Sequence, residues 1–189
     1  IMITSYYNIE MQQNSNVTLF EPFLKRENFA AIIEIGTRFG AFTRLIKDIN
    51  YESEVYSYDI EDKKPLALSR KNINFFIQNI FDAEYANVVD TEALSILNSP
   101  YRKLILCDGG NKIKEFNCLA KHLKIGDVIM AHDYAPSIEY FDANIKGKIW
   151  NWCEITEPDI MQVSKDCGLV HYNQEEFQKA MWVCKVKVQ

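Results

Sequence analysis

The segment AIIEIGTRFGAFTRL, residues 31–45, constrains the fold of this chain more than any other. Its first five residues, apolar apart from Glu34, form a short unbroken run of the kind that builds a strand buried on both faces. Gly36 breaks the run, Thr37, Arg38 and Phe39 make a short turn, and Gly40 opens a stretch with Ala41, Phe42, Leu45, Ile46 and Ile49 at helical spacing. A strand entering a helix through a glycine-bounded turn belongs to α/β architecture. There the glycine permits close backbone approach, and the helix start offers N–H groups without partners. The acid inside the strand bears on what would bind. A pyrophosphate would be repelled by Glu34, whereas a nucleoside ligand carrying an ammonium group would be attracted.

The pattern then repeats. Residues 54–58 read as a second strand ending at Asp59, residues 65–70 as a helix, and residues 73–77 as a third strand followed by Gln78 and Asn79. A helix over 91–97 precedes a fourth strand, 103–107, closed by Asp108, Gly109 and Gly110. An amphipathic helix over 112–124, stopped by Gly126, leads to a fifth strand, 127–131, ending in His132 and Asp133. Strands too apolar to keep a wet face, alternating with helices, predict a Rossmann-like, doubly wound α/β sheet that is mostly parallel and covered on both sides. Regularity lapses over 135–157, where Tyr140, Trp150 and Trp152 fall without a period, as expected either of a segment covering a substrate or of aromatics filling the core. A helix over 158–166 and strands over 169–172 and 181–188 follow, the last two close enough for an antiparallel pair at the sheet edge. At the other end, residues 1–16 read as a loose lead-in, and residues 17–25 as a short helix capped by Asn16 with Pro22 in its first turns. No repeat or linker divides the chain, so a single domain over 1–189 is expected.

Composition removes several classes. A net charge of −5 without a basic cluster argues against nucleic-acid partners. No apolar run approaches the ~20 residues that cross a bilayer, and no secretion signal is visible, so no membrane partner is expected. The five cysteines are odd in number and never form a C-x-x-C pair, which fits free thiols in a reducing cytoplasm better than disulfides or zinc. The sequence leaves the oligomeric state open.

Ligands of open α/β sheets lie beyond the carboxyl ends of the strands. Those ends carry Gly36 and Thr37, Asp59, Gln78 and Asn79, Asp108 with two glycines, and His132 with Asp133. An acid placed like Asp59 hydrogen-bonds ribose hydroxyls, Asn79 stands where an amide could read an adenine edge, and Ile60 and Ile80 offer apolar walls. Combined with Glu34, these features favour S-adenosylmethionine over a nicotinamide dinucleotide.

At this point the chain resembles a known group, the class I S-adenosylmethionine-dependent methyltransferases. The segments IIEIGTRFGAFT, VYSYDIE, FFIQNIFDAE and LILCDGGNKIKEFNCLAKHLKIGDVIMAHDY carry the resemblance. The last is most similar to the branch holding cephalosporin-hydroxylase-type, rhamnosyl and macrocin O-methyltransferases. The resemblance implies a seven-stranded sheet with an antiparallel last strand. It makes Glu34, Gly36, Thr37 and Gly40 the cradle of the cofactor's amino-acid part, Asp59 its ribose ligand, and Asn79, Ile60 and Ile80 its adenine contacts, with Asp108 adjoining. It also implies a divalent cation, Mg2+, held by Asp108 and Asp133, with His132 as third ligand, general base or plain strand end. The chain departs from the branch at Arg38 (often glycine), Asn79 (usually aspartate) and Asn111 (often histidine). The expected function is methyl transfer to an oxygen of a small acceptor such as a sugar, with His132 and Asp133 as the catalytic pair. A non-catalytic binding protein of the same fold and a nicotinamide-dependent oxidoreductase are the alternatives.

Overall fold

The structure is a computed structural model that describes residues 4–6, 9–11, 15–63 and 73–189, with side chains described from residue 18 onward. The helix expected over 65–70 lies outside the described residues. Thr4–Tyr6 (β1) and Ile9–Met11 (β2) pair antiparallel, so part of the lead-in that shows no period in sequence is a small hairpin. Helix Ser15–Glu27 (α1) starts earlier than its pattern suggests. Asn16 is therefore inside the helix instead of capping it, and Pro22 sits in the interior, where it forfeits one intrahelical hydrogen bond.

The core is a seven-stranded sheet. Ala31–Ile35 (β3), Glu54–Asp59 (β4) and Ile73–Ile77 (β5) run parallel on one side. Lys103–Cys107 (β6) and Val128–Ala131 (β7) continue in parallel on the other side of β3. Leu169–His171 (β10) and Val183–Lys187 (β11) complete it, in the order β10-β11-β7-β6-β3-β4-β5. β11 is antiparallel to both neighbours, so the expected pair forms, but only β10 is at the edge. Between β7 and β10 lie Tyr134–Ala135 (β8) and Ile155–Thr156 (β9), paired parallel with each other.

Alternation along the strands sends residues to two apolar layers. Ile33, Ile35, Ile105, Cys107 and Ile129 pack on one face, and Ile32, Leu104, Leu106, Val128 and Met130 on the other. Helix Ala41–Ile49 (α2) covers the second layer together with α1, burying Leu45 and Ile46. There Phe20 meets Phe177 and Trp182 edge-on at 5.1 and 5.4 Å. Thr91–Asn98 (α3) and Lys112–Leu119 (α4) bury Ala93, Leu97, Phe116 and Leu119 in the first layer. Local chemistry sets their starts: Asp90 accepts from Ala93 N at 2.7 Å, and Asn111 from Lys114 N at 3.2 Å. Ile138–Asn144 (α5), Glu157–Asp166 (α6) and Gln174–Phe177 (α7) follow, and Thr156 with Asp159 closes a capping box on α6. All five cysteines are free. No helix among the described residues is long and apolar enough to cross a membrane.

Candidate functional site

Strand order reverses at β3, which pairs with β4 on one side and β6 on the other, and such a switch point leaves a crevice beyond the carboxyl ends. Gly36 closes its floor. Its φ is +96°, its N–H donates to Tyr58 O at 2.8 Å, and a Cβ there would fall 2.3 Å from Asp108 O. No L side chain is compatible with either demand. Beyond it opens a cleft whose lining includes Gly36, Asp59, Ile60, Asn79, Ile80, Tyr85, Gly110 and Glu115. Two carboxylates line it and, among the described residues, no lysine, arginine or histidine does. Asp59 is held in place, Oδ2 accepting from Arg38 N at 2.7 Å and Oδ1 from Glu61 N at 2.9 Å. Ile60 stands 69% exposed at the mouth, and the Phe81 and Tyr85 rings stack with centroids 4.8 Å apart. Asn79 Oδ1 is engaged by Phe81 N at 3.1 Å, which fixes its turn.

The fold thus brings together Gly36, Asp59, Ile60, Asn79 and Ile80, as the sequence suggests. Glu34, Thr37 and Gly40 are placed differently. Period-two alternation turns Glu34 away from Ile35, which lines the cleft, and towards α2. Its Oε2 accepts from Thr43 Oγ1 and Ser57 Oγ, both at 2.5 Å, and it does not reach the cleft. Burial, only partly offset by those two donors, pushes its carboxyl up to about 7. Thr37 is buried against Ser57 Oγ at 2.6 Å, and Gly40 precedes α2 with φ +79°. Arg38, at φ +51°, adopts the left-handed backbone that a glycine would take, and it is not among the residues lining the cleft.

Beside the cleft, the ends of β6 and β7 carry a polar cluster. His132 Nδ1 lies 3.3 Å from Asp108 Oδ1 and 3.6 Å from Asp133 Oδ1. Asp133, itself at φ +57°, accepts from Trp150 Nε1 at 2.6 Å. The His132 ring is buried, 4.7 Å from that of Trp182. Burial opposes its protonation, but Asp108 and then Asp133 outweigh this and raise its pKa. The residue that sequence reading missed is Lys112, the first of α4. Its ammonium lies 2.7 Å from Glu154 Oε2, 3.1 Å from Gly109 O, 3.2 Å from Asp133 Oδ2 and 3.6 Å from Asp108 Oδ1. Burial would lower its pKa, yet Asp108, Asp133 and Glu154 more than reverse that. Glu115, also missed, accepts from Gly109 N at 3.2 Å and Asn111 N at 3.0 Å, so it ties the β6–α4 loop. Desolvation pushes its carboxyl up to about 7. The local sequence signal for Lys112 was its position four residues after Asp108.

Asp108, His132 and Asp133 have the donor types for a divalent cation, with one ligand atom each lying within 4.8 Å of one another. Magnesium requires oxygens at about 2.1 Å, so an ion bridging Asp108 and Asp133 would lie within about 5 Å of the Lys112 ammonium. A dication and a unit charge that close repel by roughly 7 kcal/mol at an effective dielectric near 20. The carboxylates suit a metal, but the Lys112 ammonium already engages the Asp108 and Asp133 oxygens that an ion would need.

No protein-family model matches the sequence, and no curated protein matches it. Solved structures do. An apo structure of CmcI aligns over 98% of this chain and 76% of its own, at 12% identity and a TM-score of 0.69. A candidate caffeoyl-CoA O-methyltransferase from Staphylococcus aureus aligns over 94% and 85%, at 14% identity and 0.63. CmcI with Mg and SAM aligns over 97% and 76%, at 14% identity and 0.62. At such identities the likeness is one of fold alone.

Proposed function

We propose that this chain, built on an O-methyltransferase fold, binds S-adenosylmethionine in the switch-point cleft and transfers its methyl group to a hydroxyl of a small acceptor. One observation carries the reading: the cleft combines apolar walls with two carboxylates, the fixed Asp59 and Glu115, and among the described residues no basic side chain lines it. That environment suits a cationic nucleoside and repels a pyrophosphate. When bound, the cofactor supplies an electrophilic methyl on sulfur. The chain's own part is positioning and proton removal. Asp59 is oriented for ribose hydroxyls, while Ile60, Ile80 and Tyr85 enclose a flat base. Asp108, whose side chain is 22% exposed against 1% for His132, is the group placed to take the acceptor's proton, and His132 backs its carboxylate from the buried side. His132 thus becomes a positioning residue.

Calorimetry with S-adenosylhomocysteine tests it. Binding is expected, with Asp59→Ala weakening it about 10-fold or more through the lost charged hydrogen bonds. Absence of binding at about 1 mM ligand overturns the reading. The engagement of Asp108 and Asp133 by Lys112 is the observation favouring a second reading, a binding protein without turnover. Cofactor binding with no methyl transfer across a broad panel of hydroxyl acceptors would select that one.

A further inference from the structure

A lysine at the first position of a helix is poorly placed, because the helix N-terminus is itself the positive end of the peptide dipole. Lys112 occupies such a position in α4 with its side chain only 6% exposed. Its charge is compensated by three carboxylates that converge on it from separate parts of the chain: Asp108 after β6, Asp133 after β7, and Glu154 just before β9. Gly109 O supplies a fourth oxygen at 3.1 Å. An all-oxygen shell of two or three acids and a carbonyl is what a hard dication would ask for. Here an amine fills it.

We propose that Lys112 is the resident cation of this site, its ammonium standing in for a divalent metal between Asp108 and Asp133, and that the protein works without one. The ammonium fixes both carboxylates and presents a positive charge beside Asp108, and its tether makes the charge permanent. The inference rests on the cleft being a methyl-transfer site. Metal titration, however, reads the donor set whether or not the nucleoside binds, so the two can fail separately.

The test is titration with Mn2+ followed by electron paramagnetic resonance of the free ion, alongside circular dichroism to verify folding. The parent and Lys112→Arg are expected to leave Mn2+ free at about 1 mM. Lys112→Met should gain one equivalent, bound about 100-fold more tightly than any residual parent binding, and should lose it in Lys112→Met/Asp133→Asn. One equivalent bound by the parent and abolished by Asp108→Asn overturns the proposal. So does a folded Lys112→Met that binds none. Should Lys112→Met not fold, the parent's melting temperature in EDTA and then in Mg2+ decides: no change supports the proposal, and a rise of several degrees overturns it.

Discussion

Burial makes single side chains of this protein into pH-dependent elements. Glu34 titrates at about 4.5 when exposed and at about 7 in the fold, because desolvation outweighs the hydroxyls of Ser57 and Thr43. Between those values the folded state binds more protons than the unfolded one, so this contribution is fully present below about pH 4.5 and lost as pH rises through about 7. Glu34→Gln removes the dependence. Relative to the parent, the variant is expected to gain on the order of 2–3 kcal/mol between pH 4.5 and 8, read from urea unfolding at a series of pH values. A difference independent of pH would refute the assignment. A second buried charge behaves otherwise. Lys103 Nζ lies 3.1 Å from Asp127 Oδ2 with both side chains excluded from water, and Asp127 also accepts from Lys103 N and Lys124 N. Asp127→Ala strands the ammonium on the carbonyls of Ser99 and Tyr101 and is expected to cost on the order of 3–5 kcal/mol by the same unfolding measurement.

At the scale of elements, the β3–α2 turn shows how a departure from a motif is absorbed. Arg38 adopts a left-handed backbone of the kind glycine takes most readily, and its N–H holds Asp59. Relief of that strain and the greater freedom of an unfolded glycine nearly cancel. Arg38→Gly is therefore expected to stay within about 1 kcal/mol of the parent, whereas β-branched Arg38→Val should lose roughly 2 kcal/mol. Thermal melts of the two variants decide; equal losses would mean the turn relaxes. Asn111 has a similar explanation. Where the branch that the motifs resemble often has histidine, this chain uses the position to cap α4, and Glu115 reaches back to the same residue's N–H. Elements that run on local pattern were legible: β4, β5 and β6 fall where their apolar runs lie. The hairpin of β1 and β2 was not, because three-residue strands carry too little period to detect.

For the whole molecule, the cleft and the fold are linked through mass action. Saturation with S-adenosylhomocysteine at about 100 times its Kd should add about 2.7 kcal/mol, or roughly 5–10 °C for a chain of this size. Scanning fluorimetry measures it, and NADH should produce no such shift. The sequence by itself determined the alternation of strands and helices, the two-faced burial of the sheet, and the polar and glycine residues at the strand ends. Each of these follows from a run of neighbours whose burial is decided by their own period. Tertiary structure alone decided two things. It turned Glu34 to the α2 face, away from the cleft, since alternation says which residues share a face but not which face the ligand meets. It also brought Asp133 and Glu154 to Lys112, because charges far apart in the chain acquire a common partner only when β6, β7 and the segment before β9 pack together.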